Sequence, residues 1–167
     1  MRGEGIRLSR FDVARIKQLS DMERWQFKGA DALIVLAEKL KNSNGVKPVK
    51  PPKNFALELR PYQLEGVAWL QFLRENDLAG ILADDMGLGK TAQALAHLLL
   101  EKQSGRMNKP SLIVLPTSLI FNWKNEAARF APDLKVLSLH GKQRLDSFTA
   151  IADHDVILTT YPLLWRD

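Results

Sequence analysis

The residues with the clearest chemical potential lie in one stretch, Asp84-Asp85-Met86-Gly87-Leu88-Gly89-Lys90-Thr91, here named the Gly-Lys-Thr loop. A short apolar run over 79–83 precedes this loop, and a helical pattern over 92–100 follows it. Glycines let the backbone approach an anion closely, and amide groups at a helix N-terminus favour negative charge. The order strand, glycine-bearing turn, Gly-Lys-Thr and helix predicts a loop that binds the phosphates of a nucleotide.

Two residues of the loop carry the predicted chemistry. Lys90 would pair with the β- and γ-phosphates, and the Thr91 hydroxyl would ligate Mg²⁺. The usual pattern is G-x-x-x-x-G-K-[ST], and Asp84 stands at its first glycine. A strict reading of the pattern therefore rejects the loop, and the alternative is a glycine-rich turn without a ligand. The position of the triplet at the strand-to-helix junction favours the phosphate-binding interpretation.

Composition limits the class of protein. The chain has 167 residues, of which 46% are hydrophobic and 26% charged, which is typical of one globular domain with an appended segment. It has no cysteine, which excludes disulfides and thiolate metal sites. No apolar run approaches the roughly 18 residues of a membrane span, and no signal-peptide core follows Met1. We expect no membrane partner and a cytoplasmic, nucleoid-associated location in a bacterium, or a nuclear one in a eukaryote.

Charge is distributed unevenly along the chain. Residues 1–53 carry 12 Lys and Arg against 6 Asp and Glu, a net charge of +6, whereas 54–167 carry 12 against 13, a net charge of −1. Residues 1–53 therefore form a predicted basic leader, with helices over 11–19 and 31–41 and a Pro- and Lys-rich linker over 46–53. The basic excess suggests contact with nucleic acid or another polyanion, and a merely solvated leader is the alternative.

Residues 54–167 have the alternating pattern of an α/β fold. A helix is expected to begin at Pro61. Beyond the loop, predicted strands over 111–115, 135–139 and 155–159 alternate with helices over 119–130 and 143–151. Ligands of such parallel sheets lie beyond the carboxyl ends of the strands. This places the Gly-Lys-Thr loop, Pro116–Ser118 and Thr159–Tyr161 along one rim, where hydroxyl and amide groups can hold phosphates. Ordinary strand-end turn chemistry is the alternative for the last two segments, and composition alone favours it.

Gln63 lies in the first turn of this predicted helix, about 20 residues ahead of the loop. Its amide can offer both a donor and an acceptor to the edge of an adenine base. A surface glutamine without a ligand is the alternative on chemistry alone.

Four motifs in this order closely resemble the Swi/Snf-type ATPases of the second helicase superfamily. They are Leu59-Arg60-Pro61-Tyr62-Gln63-Leu64-Glu65-Gly66, then Leu82 to Thr91, then Leu115-Pro116-Thr117-Ser118 with Asn122-Trp123, and finally Leu158-Thr159-Thr160-Tyr161. The resemblance covers roughly residues 57–167. Asp84 is what this family carries at that position, so the departure from the general pattern supports the resemblance. One motif alone would be weak evidence, whereas four in order are highly specific.

The resemblance implies a three-layer α/β/α, RecA-like P-loop lobe in an ATPase that uses Mg²⁺, moves along duplex DNA and remodels DNA-bound protein complexes. Lys90 and Thr91 would be catalytic, with Thr91 on the Mg²⁺. The ATP-binding residues would be Arg60, Gln63, Asp84, Asp85, Met86, Gly87, Leu88, Gly89, Lys90 and Thr91. The residues tracking DNA phosphates would be Pro116, Thr117, Ser118, Thr159 and Thr160.

An acidic Asp-Glu motif and a second lobe with an arginine finger are expected in this family beyond the last predicted strand. Neither is in the chain, so we expect an incomplete first lobe that lacks turnover by itself. Asp84 and Asp85 would lie on the wrong side of the metal to substitute. Two alternatives remain open. One is a non-catalytic nucleic-acid or protein interaction module. The other is a small-molecule kinase, which would need a substrate lid and basic residues that 92–167 do not clearly offer.

Overall fold

The computed structural model describes residues 45–166, apart from the side chains at 142 and 143. The predicted leader helices over 11–19 and 31–41 lie outside this range, and the predicted boundary at residue 53 stays a prediction. Contacts divide the chain into two compact units. The sheet unit comprises residues 48–71 and 80–167, and the described residues of the smaller unit are 45–47 and 72–79.

The described elements alternate between helices and strands. In chain order they are helix α1 (Pro61–Glu75), helix α2 (Lys90–Gln103), strand β1 (Ser111–Leu115), a 3₁₀ helix (Thr117–Leu119), helix α3 (Ile120–Phe130), strand β2 (Val136–Ser138), a 3₁₀ segment (Lys142–Asp153), strand β3 (Val156–Thr160) and helix α4 (Tyr161–Arg166). The alternation predicted after the Gly-Lys-Thr loop is confirmed. Within residues 45–166, every helix falls short of the length and hydrophobicity that crossing a bilayer requires.

The three described strands form a parallel sheet in the order β1-β3-β2. Leu115 lies opposite Thr160, so the carboxyl ends of β1 and β3 are level. All five residues of β3 are buried, as expected for a central parallel strand that is covered on both faces. The α/β class and the parallel sheet are therefore as the sequence predicts.

The core lies where helices α2 and α3 meet the sheet. Apolar residues of α2 recur at helical spacing, and Leu95 and Leu99 are fully buried. The buried core cluster consists of Leu95, Leu99, Leu115, Ile120, Ala127, Ala131, Leu134, Val156 and Leu158. A second cluster joins α1 to α2 through Leu59, Val67, Ala92 and Ala96. Helix α2 thus packs on both sides, and its first two residues, Lys90 and Thr91, are the last two of the Gly-Lys-Thr loop.

The strand predicted over 79–83 is wrong. Residues 78–85 have no regular secondary structure, and Ile81 is 86% exposed. The apolar run satisfies the composition of a strand, but a strand also needs a neighbour to accept and donate its backbone hydrogen bonds. Among the described strands, β1, β3 and β2 pair only with one another, so the run stays unpaired and has no regular secondary structure.

The smaller unit contains the end of helix α1. The Asn76 side-chain Nδ2 donates to the Phe72 carbonyl at 2.8 Å, and the Leu78 backbone amide donates to the Leu73 carbonyl at 2.8 Å. Asp77 takes a left-handed φ of 54°, which asparagine and aspartate tolerate better than most residues. These bonds satisfy carbonyls at the helix terminus and end α1 at Glu75.

A polar network lies beside helix α2 in the sheet unit. Gln71 Nε2 lies 2.8 Å from His97 Nδ1, and the Arg106 guanidinium bonds both Gln71 Oε1 and the Glu101 carboxylate. Glu101 is only 5% exposed. Burial raises the pKa of Glu101, but the hydrogen bonds and charge of Arg106, helped by Gln71 and His97, outweigh burial and hold this pKa below its ordinary value of 4.5.

Replacing Glu101 with glutamine should make the free energy of unfolding less dependent on pH in the acidic range. A carboxylate whose folded-state pKa lies below its unfolded-state value stabilises the fold above the unfolded-state value, and this contribution disappears as the pH falls through the folded-state pKa. Glu101→Gln should therefore be less stable than wild type at neutral pH, and the difference should shrink below pH 4.5. Urea unfolding across this range measures the difference. The exposed Glu65→Gln is the control, and a difference for Glu101→Gln that is constant with pH would contradict the assignment.

Candidate functional site

The Gly-Lys-Thr loop has the backbone that its glycines predict. Gly87 has φ 86° and Gly89 has φ 79°, values that residues with a Cβ rarely adopt. Gly89 stands at the N-terminus of helix α2, and no side chain caps this end. The first amide groups of a helix have no partner within the helix. The loop therefore presents amide donors, together with the positive end of a helix dipole, to an anion.

The ammonium of Lys90 lies back over the loop. Its Nζ donates to the Asp84 carbonyl at 2.6 Å and to the Asp85 carbonyl at 2.9 Å. These bonds place one positive charge next to the amide donors of the loop. Thr91 follows in the first turn of α2 and is half-buried.

Helix α1 fixes the loop from outside. The carbonyl of Leu88 accepts a hydrogen bond from the Tyr62 hydroxyl and another from Gln63 Nε2, each at 3.1 Å. The Arg60 amide in turn donates to Gln63 Oε1 at 2.9 Å. A Cβ on Gly89 would lie 2.5 Å from Gln63 Nε2, so this contact also requires glycine at position 89. The sequence motif around Gln63 thus reaches the loop directly.

This arrangement bears on the predicted adenine contact of Gln63. The side chain is 7% exposed, and each end of its amide already bonds the protein. A glutamine amide has two donor hydrogens and two acceptor lone pairs, so one donor and one acceptor site remain after these bonds. The role of Gln63 visible in the geometry is to hold Leu88. The adenine contacts of Gln63 and Arg60 stay predictions.

Sequence reasoning missed two side chains that hold the loop. Tyr62 lies next to Gln63 in the same motif, and this adjacency was the feature of the sequence that could have indicated its contact with the loop. Gln93 is fully buried in α2, and its Nε2 donates to Asp84 Oδ2 at 2.8 Å. A polar residue on the packed face of an otherwise apolar helix was the signal for Gln93. Both residues act on the loop through hydrogen bonds.

The described residues contain no group of three His, Cys, Asp or Glu side chains that could hold a metal ion. Asp85 and Met86 are exposed, and the Asp84 carboxylate is bonded to Gln93. The assignment of Mg²⁺ to the Thr91 hydroxyl stays a prediction, in which phosphate oxygens and water would be the further ligands that this ion prefers.

The carboxyl ends of the strands surround a second site, here named the rim cavity. It has a volume of about 320 Å³, and its lining includes Thr117 after β1 and Thr160 at the end of β3. The level ends of β1 and β3 explain why these two predicted DNA-contact residues meet. Pro116 and Ser118 are exposed beside Thr117.

Burial distinguishes the threonines at the end of β3. Thr159 is 6% exposed, and its hydroxyl donates to the Leu139 carbonyl at 3.4 Å, whereas Thr160 is 2% exposed. A contact between Thr159 and DNA is untested, but its hydroxyl is occupied within the sheet unit. Thr160 reaches the rim cavity despite its low exposure.

Basic side chains line the rim cavity that sequence reasoning did not select. They are His140, Arg144 and Arg166, and Gly141 lies between the first two with φ 87°. Arg144 Nη1 donates to the Gly141 carbonyl at 3.2 Å. The signal in the sequence was the end of β2, which His140 and Arg144 follow just as Pro116–Ser118 follow β1, whereas Arg166 ends the helix that follows β3.

Comparison with known proteins gives an independent result. The family model of the SNF2-related domain matches residues 62–167. The chain is 44% identical to YwqA of Bacillus subtilis over 145 residues, which are 85% of this chain and 16% of that protein. It is 40% identical to the ATP-dependent helicase fft2 of Schizosaccharomyces pombe over 152 residues, which are 86% of this chain and 12% of fft2.

A solved structure agrees with these relatives. The Sulfolobus solfataricus SWI2/SNF2 ATPase core in complex with double-stranded DNA is 39% identical, with a TM-score of 0.67 over 72% of this chain and 25% of that one. The chain thus spans a small part of the length of each relative. The matched residues include the Gly-Lys-Thr loop, both of its supports on α1 and α2, and the rim cavity, and the chain therefore belongs to the SNF2-related domain family.

Proposed function

We propose that this chain is the ATP-binding part of the first lobe of a DNA-dependent ATPase that couples hydrolysis to movement on duplex DNA. The observation that carries the proposal is the Gly-Lys-Thr loop, with uncapped amides of α2 and the Lys90 ammonium beside them. Relatives that extend well beyond the matched region include an ATP-dependent helicase and an ATPase core bound to double-stranded DNA. Turnover belongs to a longer protein that supplies an acidic motif and a second lobe.

The residues of this chain would bind and orient the triphosphate. The amides of the loop and of the first turn of α2 would hold phosphate oxygens, and Lys90 would exchange its bonds to the carbonyls of Asp84 and Asp85 for the β- and γ-phosphates. Tyr62 and Gln63 would keep Leu88 in place during this exchange. A Mg²⁺ ion on the Thr91 hydroxyl supplies charge neutralisation of the phosphates when bound.

The rim cavity is the part of the chain that fits a DNA strand. Its hydroxyl-bearing Thr117 and its basic residues Arg144 and Arg166 offer the groups that contact phosphates without reading bases. The parallel sheet places these groups at the same edge because each lies in a segment that follows the carboxyl end of a strand there. Movement along the DNA would displace proteins bound to it, in the cytoplasm and nucleoid of a bacterium or in the nucleus of a eukaryote.

Lys90→Ala should abolish the activity of the full-length protein. Removing the ammonium removes the charge that stabilises the transferred phosphoryl group, which we expect to lower DNA-stimulated phosphate release by about 100-fold or more. Release of phosphate is measured with and without duplex DNA. Lys124→Ala, an exposed lysine of α3, is the matched control and should keep the activity of wild type. Undiminished release by Lys90→Ala would refute the assignment of the loop.

Arg144→Ala should weaken duplex binding in proportion to one lost phosphate contact. The affinity should fall, and the negative slope of log affinity against log salt should become less steep by about 1. Electrophoretic mobility shifts at a series of salt concentrations measure both quantities. Arg129→Ala removes the same charge from α3, where the guanidinium lies over the Phe130 ring at 5.3 Å, and should leave the slope unchanged. Equal slopes for wild type and Arg144→Ala would place the DNA elsewhere. Full duplex binding without affinity for ATP would favour the interaction module instead.

A further inference from the structure

Gln93 occupies an unusual place for a polar side chain. It is fully buried in helix α2, next to Ala92 and Ala96 of the cluster that joins α1 to α2. A buried amide is costly unless hydrogen bonds satisfy it. Its Nε2 has such a bond, to Asp84 Oδ2 at 2.8 Å, whereas its Oε1 has no hydrogen-bond partner within the described part of the chain. The hydrogen bond to Asp84 is therefore the interaction for which the buried Gln93 amide is suited.

The position of Gln93 explains a glycine in helix α1. A Cβ on Gly66 would lie 1.8 Å from Gln93 Oε1, which no neighbour can accommodate without moving. Glycine within a helix costs about 0.5–1 kcal/mol relative to alanine. Gly66 therefore carries a local cost that allows Gln93 to enter between the two helices and reach Asp84.

Asp84 connects Gln93 to the chemistry of the loop. Its carboxylate accepts from Gln93, and its carbonyl accepts from Lys90 Nζ at 2.6 Å. An anionic side chain on a loop that binds phosphates would repel them if it turned toward them. The bond to Gln93 holds the carboxylate against the packed side of α2. The carboxylate and the carbonyl of Asp84 are thus both hydrogen-bonded, and the carbonyl sets the position of the Lys90 ammonium.

We propose that Gln93 is a positioning residue of the nucleotide site, which holds the Asp84 carboxylate away from the phosphates and thereby sets the place of Lys90. Gly66 belongs to the same device because it leaves the space that Gln93 needs. The nucleotide part of this inference rests on the proposed function, whereas the effect on the loop itself does not.

The test reverses the hydrogen bond between Gln93 and Asp84 in the full-length protein. Gln93→Glu puts a second carboxylate against Asp84, so the pair should repel and the loop should lose its anchor. Asp84→Asn in the same chain restores a donor opposite an acceptor. We expect Gln93→Glu to weaken Mg-ATP binding about 10-fold or more, and the double variant Asp84→Asn, Gln93→Glu to regain most of that loss. Calorimetry measures the affinity, at a temperature where circular dichroism shows each variant folded.

Hydrogen exchange without nucleotide separates this inference from the proposed function. Amides over 84–90 should exchange faster in Gln93→Glu and return toward wild-type rates in the double variant. Gln103→Glu, the same change on the same helix at a residue that bonds the Lys53 backbone, is the control for both measurements. A wild type that binds no Mg-ATP would refute the proposed function, and exchange would still decide on Gln93. Unchanged affinity and exchange in Gln93→Glu, or no recovery in the double variant, would overturn the role of Gln93.

Gly66→Ala provides a second test if Gln93→Glu does not fold. Alanine normally stabilises a helix interior relative to glycine, but here its methyl group should displace Gln93 and release Asp84. We expect weaker Mg-ATP binding and faster exchange over 84–90, with Glu65→Ala on the exposed side of α1 as the control. A Gly66→Ala protein that binds Mg-ATP like wild type, with an unchanged loop, would refute the inference.

Discussion

A loop that binds phosphates must keep its amide hydrogens unpaired while its backbone stays in one conformation. Those amides cannot also stabilise the loop, so the stabilising bonds must come from neighbouring elements. Here the Leu88 carbonyl accepts from Tyr62 and Gln63 of α1, and the Asp84 carboxylate accepts from Gln93 of α2. Carbonyl and carboxylate oxygens carry these restraints, so the first amides of α2 stay available to a ligand, whereas the Leu88 amide bonds the Asp85 carbonyl at 3.4 Å. Val67, Ala92 and Ala96 pack α1 against α2 and so keep the side chains that restrain the loop in place.

The sequence predicts the parts of this site that depend on local patterns. The Gly-Lys-Thr triplet, the glycines with positive φ and the helix after them are close in the chain, so their spacing specifies them. The approach of Gly66 to Gln93 joins residues of two helices, and its geometry depends on how α1 and α2 pack. Patterns of residue type do not encode that packing. The rim cavity was half predicted, because strand ends are visible in the sequence and the basic side chains brought to them are not.

The segment over 79–83 shows a different limit of sequence reasoning. Its apolar residues predict burial, but pairing with a strand depends on which neighbours are present, and residue composition does not contain that information. Strand β1 pairs with β3 and, among the described strands, with no other, and Leu112 in it is 55% exposed. An apolar edge strand is a template for further strands. The unpaired run and this edge are what an incomplete sheet of the expected lobe would present.

Helix α2 has a different attachment at each of its ends. Its first turn adjoins the Gly-Lys-Thr loop, and Gln103 at its last turn exchanges two hydrogen bonds with the backbone of Lys53, at 3.0 and 2.6 Å. A helix of 14 residues is about 20 Å long. Lys53 is therefore held at the opposite end of α2 from the loop, so its attachment leaves the surface of the predicted phosphate site open.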